Sequence, residues 1–211
     1  MVTPNNYSAY DIWRSYSFEP RISCSTFYLH NILVTKILGI SAFYHDSAAA
    51  IIVNGKITAA AQEERFTRKK HDSGYPFNAI EFVLNYTKTK LSQVERIVFF
   101  EKPFLKFERL LETYIAMAPN GFTQFSKAMP AWLREKLFQK NMLSNLLKQH
   151  DENFNNQKKI YFSEHHLSHA ASAFFPSPFE NAIVLTADGV GEWATTTVAI
   201  GNGNHLDIKK E

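Results

Sequence analysis

Three histidines fall within five residues of the segment SEHHLSHAASAFF, which runs from Ser163 to Phe175. If a helix begins near Ser163, His165 and His169 share one face, because positions i and i+4 lie about 5 to 6 Å apart at Cβ. His166 then projects about 100° away from that face. Neutral imidazoles suit Fe, Zn, Cu or Ni, so the pair predicts metal ligands. The same pattern also fits histidines that cap the start of a helix and form hydrogen bonds without binding a metal.

An aspartate followed by two glycines ends a predicted strand in TADGVGEWATT. Asp188 offers a carboxylate, and Gly189 and Gly191 allow the main-chain N–H groups to approach a phosphate closely. These residues therefore predict a third metal ligand and a phosphate-binding turn. An ordinary hairpin turn accounts for Asp188 and Gly189 equally well.

A corresponding turn lies earlier in the chain, in GISAFYHDSAAA. His45 and Asp46 stand between two predicted strands, and histidine is the side chain best suited to accept a proton near neutral pH. We expect His45 to act as a general base, although an exposed turn histidine without a role fits as well.

A basic segment, EERFTRKKHD, follows the predicted third strand, and its residues from Arg65 onward are expected to form a loop. Its cations and histidine could bind an anionic group of a substrate or cofactor, although such clusters also occur in solvated loops. The residues concerned are Arg65, Arg68, Lys69, Lys70 and His71.

The elements that would position these residues follow a recognisable order. KILGIS predicts a buried strand, and Asn54-Gly55 between two β-leaning runs is a strong hairpin signal. The chain continues with a helix over 77–86, the strand RIVFFE and a long helical region over 104–149 that is broken at Pro119-Asn120-Gly121. The strand KKIYF and the histidine helix come after that region. Three strands then begin at Asn181, with a turn predicted at 201–204 between the second and the third, so the opening meander starts a second time. This order predicts an α/β protein with the duplicated fold of actin, sugar kinases and Hsp70.

The predicted domains are residues 35–178, a first ribonuclease H-like subdomain with a helical insertion over about 104–149, and residues 179–211, the start of a second. The second copy stops in its third strand, so we expect a truncated chain. Residues 1–34 lack a sustained period and predict a flexible or mis-started extension, with a folded hairpin as the alternative.

Composition excludes several classes of protein. The net charge of +3 is too small to indicate a nucleic-acid partner. A single cysteine excludes an intrachain disulfide framework and favours the cytoplasm. Apolar runs are too short to cross a membrane.

With these motifs in order, the sequence resembles the NodU/CmcH family of O-carbamoyltransferases. The matching text is KILGISAFYHDSAAAIIVNGKITAAAQEERFTRKKHDSGYP together with SEHHLSHAASAFFPSPFENAIVLTADGVGEWATT. The metal-type histidines are also similar to those of the tRNA threonylcarbamoyl-transfer proteins, whose fold this family shares.

The resemblance implies a two-domain enzyme. A YrdC-like C-terminal domain would make carbamoyl-adenylate from ATP and carbamoyl phosphate, and the actin-like domain would transfer the carbamoyl group to a hydroxyl of a sugar or another natural product. It implies Fe(II) or a similar divalent ion held by His165, His169 and Asp188, and His45 as the base. Gly189 and Gly191 would face the adenylate.

The departures from the family leave three functions open. A further aspartate ligand and the adenylate-forming domain are absent from these residues, so we expect little transfer by this chain alone. A separately encoded C-terminal half is then an expected partner. An ATP-dependent sugar kinase is less consistent with a histidine pair, because such kinases hold Mg²⁺ mainly through carboxylates and water. A metal- or nucleotide-binding assembly module is the third possibility.

Overall fold

A computed structural model describes residues 34–132, 138–189 and 191–211 of the 211-residue chain. The chain divides into two compact units at His165/His166, inside the first turn of a helix. We describe that helix whole with the second unit, and each unit by itself. The predicted extension lies outside the described residues except for Val34, and the predicted domain boundaries stay predictions.

The first unit is built on a mixed five-stranded sheet with the order β3-β2-β1-β4-β5. Strands β1, β2 and β3 pair antiparallel, whereas β4 and β5 extend the sheet in parallel with β1. The strands are β1 Lys36–Ser41, β2 Ala48–Val53, β3 Lys56–Gln62, β4 Arg96–Phe99 and β5 Ile160–Phe162. The predicted strands are confirmed, and β4 and β5 are each shorter than their sequence runs.

The predicted hairpin between β2 and β3 is confirmed. Asn54 and Gly55 both have positive φ, 51° and 77°. Two such residues form the tight turn whose twist matches that of paired strands, and glycine adopts this conformation without steric cost.

Helices connect the strands of this unit. Their bounds are α1 Glu64–Thr67, α2 Phe77–Tyr86, α3 Pro103–Met117, α4 Phe122–Trp132 and α5 Gln139–Leu147, with 3₁₀ turns at Leu91–Gln93 and Gln157–Lys159. The predicted α2 is confirmed, and the break between α3 and α4 coincides with the predicted one. The basic segment was predicted as a loop throughout, and this is wrong for α1, where Arg68 in the left-handed region ends one helical turn.

The core of the first unit lies where α2 and α5 cover the sheet. Leu38, Ile51 and Ile97 from the strands are at most 1% exposed, and Ile80 and Leu143 from the helices are fully buried. Central strands covered in this way hold the turn after β1 in a defined position.

The second unit is one helix packed on a three-stranded meander. The helix is α6 His165–Phe174, and the strands are β6 Asn181–Ala187, β7 Thr196–Asn202 and β8 His205–Lys210, antiparallel in the order β6-β7-β8. The three predicted strands are confirmed. The second turn was predicted to start at Gly201, but β7 continues to Asn202 and only Gly203 and Asn204 form the turn.

Buried and exposed side chains alternate along β6 and β7, and this alternation shows which face of the meander is packed against α6. Val184 is buried, whereas Ile183 and Leu185 are exposed. Gly201 lets the Phe174 ring rest on the sheet, since a Cβ there would lie 2.4 Å from that ring. Among the described residues, no helix is long and apolar enough to span a membrane.

Candidate functional site

Three of the predicted site residues lie close together, two on α6 and one directly after β6. His165 and His169 occupy successive turns of α6, and Asp188 follows the last residue of β6. Each offers a ligand atom, and these atoms all lie within 4.8 Å of one another. The Nε2 of His169 is 3.6 Å from an oxygen of Asp188.

The spacing of these three atoms fits one metal ion. Ligands about 2.1 Å from an ion lie about 3.0 Å apart at a right angle and about 4.2 Å apart when opposite each other. Small side-chain adjustments would therefore bring all three to bonding distance. Two imidazoles and one carboxylate form the donor set that divalent transition metals such as Fe(II) or Zn²⁺ accept.

Asp188 is held at the start of a closed loop. Its main-chain N–H donates to the carbonyl of Thr195 at 2.8 Å, which extends the pairing of β6 and β7 by one step. The N–H of Gly189 donates to the Asp188 carboxylate at 2.6 Å. The loop backbone thus helps to orient the predicted ligand.

His166 has a different environment from its two neighbours. It is buried, its Nε2 lies 2.7 Å from the carbonyl of Ala194, and its Nδ1 lies 2.6 Å from the hydroxyl of Thr186. A carbonyl only accepts, so Nε2 carries a proton, and in the neutral ring Nδ1 accepts from Thr186. The Thr186 hydroxyl in turn lies 2.7 Å from that of Thr197. This network joins α6 to both strands and to the loop that follows Asp188.

The two glycines of the loop differ in their surroundings. A Cβ on Gly189 would meet nothing within 4 Å, whereas a Cβ on Gly191 would lie 2.4 Å from the Ala194 carbonyl and 2.5 Å from Nε2 of His166. Gly191 is therefore required for close packing against His166. The predicted contact of both glycines with a phosphate stays a prediction.

His45 lies in the turn between β1 and β2, in the first unit. Its side chain is 61% exposed, and its Nδ1 is 2.8 Å from an oxygen of Asp46. Phe43 and Asp46 have φ values of 70° and 50°, so the turn contains two non-glycine residues in the left-handed region. Such strain persists only where surrounding contacts impose it.

His71 reaches the same carboxylate from 25 residues further along the chain. Its Nδ1 is 2.9 Å from the other oxygen of Asp46. Hydrogen bonds from His71 and then from His45 hold the pKa of the Asp46 carboxyl below its usual range. The pattern of the basic segment groups His71 with its cations and gives no sign of the contact with Asp46. The repeated dipeptide His-Asp, at 45–46 and 71–72, was the available signal.

Glu63 and Asp72, two acidic residues of the basic segment, form hydrogen bonds that stabilise the local structure. The buried carboxylate of Glu63 accepts from the main-chain N–H groups of Asn78 and Ala79 at 3.2 and 2.8 Å, and so caps α2. Asp72 accepts from the N–H of Gly74 and from the hydroxyl of Thr67, and these bonds lower the pKa of its carboxyl.

Two cations of this segment form ion pairs. Arg65 forms an ion pair with Glu64, and Lys69 lies 3.7 Å from Asp72. Asp46, Glu64 and His71 form a second group whose ligand atoms lie within 4.8 Å of one another. Binding of an anion by the cations of this segment stays a prediction.

Comparison with known proteins gives one family for nearly all of the described chain. Residues 36–211 match the family model described as carbamoyltransferase N-terminus. An uncharacterised Synechocystis protein, sll1178, is 56% identical over 174 residues, which are 82% of this chain and 28% of that protein. The nodulation protein NolNO of Sinorhizobium fredii is 33% identical over 79% of this chain and 22% of its own length.

The chain therefore spans about a quarter of the length of these two relatives. Among solved structures, YeaZ from Pseudomonas aeruginosa aligns with 84% of this chain and 65% of its own, with a TM-score of 0.42 and 11% identity.

Proposed function

This chain belongs to the carbamoyltransferase N-terminus family, and we propose from this premise that it is the N-terminal portion of an O-carbamoyltransferase. The reaction moves a carbamoyl group from carbamoyl-adenylate to a hydroxyl of a small molecule, a sugar or another natural product. The observation that carries the proposal is the grouping of His165, His169 and Asp188, because transfer from an acyl phosphate requires charge stabilisation at the leaving group.

His165, His169 and Asp188 would hold the metal, which we propose to be Fe(II) or a similar divalent ion. When bound, such an ion neutralises charge on phosphate oxygens. The residues of the chain supply the rest. The N–H of Gly189 orients the Asp188 carboxylate, and the His166 network holds the loop that follows it.

The proposed general base is His45. A hydroxyl is a weak nucleophile until its proton is removed, and a positioned imidazole supplies about 10² to 10⁴ in rate. The proton would pass from the acceptor hydroxyl to a ring nitrogen of His45 as the oxygen attacks the carbamoyl carbon, and the bond from that carbon to the phosphate oxygen would break to release AMP. The exposed position of His45 in its turn leaves room for an acceptor molecule.

The topology supports the finer assignment of an actin-like fold. The first sheet is an antiparallel meander extended by two parallel strands, in the order β3-β2-β1-β4-β5. A second meander, β6-β7-β8, follows along the chain. We propose that the second meander starts the other half of a duplicated ribonuclease H-like fold.

The activated intermediate would come from another part of the enzyme. We propose that a further domain forms carbamoyl-adenylate from ATP and carbamoyl phosphate, on the same polypeptide or a separate one. The length of the relatives supports this, since most of each lies beyond the matched region.

Metal content and transfer test the proposal together. The purified chain, loaded anaerobically with Fe(II) and desalted, should retain one equivalent, and His165→Ala and His169→Ala should each lose it. His205→Gln, on β8, is the matched control and should retain the metal. Equal retention by all of these variants would refute the metal site.

Transfer is then measured with the C-terminal part of a full-length relative added, using carbamoyl phosphate, ATP and a panel of sugar acceptors. His45→Ala should lower kcat by about 10² to 10⁴. Unchanged kcat would remove His45 as the base. Consumption of ATP that depends on a sugar but not on carbamoyl phosphate would instead favour the kinase.

A second candidate function, an assembly module, is favoured by one observation. The face of β6 and β7 opposite α6 exposes Ile183 (77%), Leu185 (67%) and Ile200 (46%). Contiguous exposed apolar side chains mark interaction surfaces. We propose that the C-terminal part of the enzyme covers this face. Leu185→Lys should abolish co-purification with that part, and the exposed control Thr58→Lys on β3 should not.

A further inference from the structure

The Asp46 carboxylate binds two imidazoles at once. One oxygen is 2.8 Å from Nδ1 of His45 and the other is 2.9 Å from Nδ1 of His71. His45 precedes Asp46 in the turn between β1 and β2, whereas His71 follows α1, so the contact joins two separate segments of the first unit.

The backbone around this carboxylate is fixed from both sides. His71 also has a positive φ, 55°, and its main-chain N–H donates to the carboxylate of Glu64 at 3.0 Å. The turn itself is tied to the segment after His71, because Phe43 and Ser47 donate main-chain bonds of 2.9 and 2.8 Å to the carbonyls of Ser73 and Asp72. These bonds account for the left-handed residues, which free turns adopt rarely.

The hydrogen bonds determine where the imidazole protons lie. An ionised carboxylate only accepts, so Nδ1 of each ring must carry the proton. In the neutral ring, Nε2 is then unprotonated and able to accept a proton. The aspartate of a Ser-His-Asp triad selects the tautomer of its histidine in the same way.

We propose that Asp46 and His71 are positioning residues that orient His45 and hold it in the Nδ1–H tautomer, so that Nε2 is the basic atom. The inference rests on the proposed function in one respect, the role of His45 as base. His71 binds the second carboxylate oxygen and is itself anchored through Glu64, so rotation of the carboxylate away from His45 would also break the bond to His71. Removing either Asp46 or His71 therefore frees the His45 ring.

The same residues could instead bind a cation, since Asp46, Glu64 and His71 present ligand atoms within 4.8 Å of one another. The two possibilities differ in which ring nitrogen of His71 carries the proton. A metal bound through Nδ1 of His71 would require the ring proton on Nε2, whereas the hydrogen bond to Asp46 requires it on Nδ1.

The first test reads the tautomers directly and needs no turnover. The 211-residue chain, labelled with ¹⁵N in histidine and freed of metal with a chelator, is studied by two-bond ¹H–¹⁵N correlation. The pH is set about two units above the ordinary imidazole pKa of about 6.5. His45→Gln and His71→Gln identify the two signals by their loss.

In the wild type, both rings should be predominantly Nδ1–H. Asp46→Asn should move at least one ring to the Nε2–H form, because the amide N–H₂ replaces one acceptor. His71→Gln should reduce the Nδ1–H fraction of His45. Asp207→Asn, at a half-buried aspartate of β8, is the control and should change neither ring. Predominant Nε2–H in the wild type, or an Asp46→Asn variant identical to it, would overturn the inference.

The second test separates this inference from the proposed function. In the reconstituted transfer assay, Asp46→Asn should lower kcat by about 10² to 10⁴ while the KM of the acceptor stays unchanged. If His45→Ala abolishes transfer and Asp46→Asn has full kcat, the positioning role is wrong and the proposed base stands. If His45→Ala itself has full kcat, the proposed base fails, whatever the tautomers show.

Discussion

Replacing Gly191 with alanine would place a methyl group where two other groups already lie. The new Cβ would be 2.4 Å from the carbonyl oxygen of Ala194 and 2.5 Å from Nε2 of His166. The first contact is with backbone, so a side-chain rotation cannot relieve it. The His166–Ala194 hydrogen bond, 2.7 Å in the native protein, would have to open.

Two costs combine in this variant. A buried N–H left without its acceptor costs about 1 to 3 kcal/mol. Displacing the loop to admit a methyl group costs about 1 to 3 kcal/mol more. The sum, about 2 to 6 kcal/mol, is a large share of the roughly 5 to 15 kcal/mol that stabilises a typical domain. We expect a much lower urea midpoint for Gly191→Ala, and weaker Fe(II) binding because Asp188 begins the displaced loop.

Gly189→Ala is the matched control, only two residues away. Its Cβ would meet nothing within 4 Å, so the free energy of unfolding should change by no more than about 0.5 kcal/mol. Urea unfolding of both variants, followed by circular dichroism, measures the difference. Equal losses in the two variants, or none in Gly191→Ala, would refute the packing argument.

Two further predictions concern Glu63 and Asp72, whose main-chain groups form hydrogen bonds with Ser47 after the turn that contains His45. Glu63→Gln should lower the free energy of unfolding by about 1 to 3 kcal/mol, because a buried carboxylate that caps α2 is replaced by a weaker acceptor; the exposed control Glu152→Gln should be neutral in the same urea titration. Asp72 has a lowered pKa in the folded protein, so its contribution to stability is present above the unfolded pKa of about 3.9 and is lost as the pH falls through the folded value. Asp72→Asn should therefore flatten the fall in urea midpoint between neutral pH and pH 2, and a curve parallel to that of the wild type would contradict the assignment.

Local patterns of the sequence predicted most elements of the fold. Two β-leaning runs on either side of the Asn54-Gly55 turn specify β2 and β3, because strand propensity and turn geometry there agree. The helix over Phe77–Tyr86 is predicted from Pro76, which directly precedes its first residue. The failures are at short elements: α1 has one turn, too little for a periodic signal to emerge.

The spacing of His165 and His169 could be interpreted from sequence because it belongs to one helix. Residues four apart meet on any helix, so the pair follows from local geometry alone. The addition of Asp188 relied on the resemblance and on its place at a strand end, and its ligand atom lies near those of the histidines in the structure.

Sequence by itself thus determined what depends on neighbours within a few positions: the strands, the main helices, the hairpin turn and the paired histidines. Tertiary structure alone decided the partners of His166, which are 20 and 28 residues away, and the meeting of His71 with Asp46 across 25 residues. The physical reason is that strand register and loop path set such contacts. Neither has a periodic signature in the chain, and both emerge only when the core is packed.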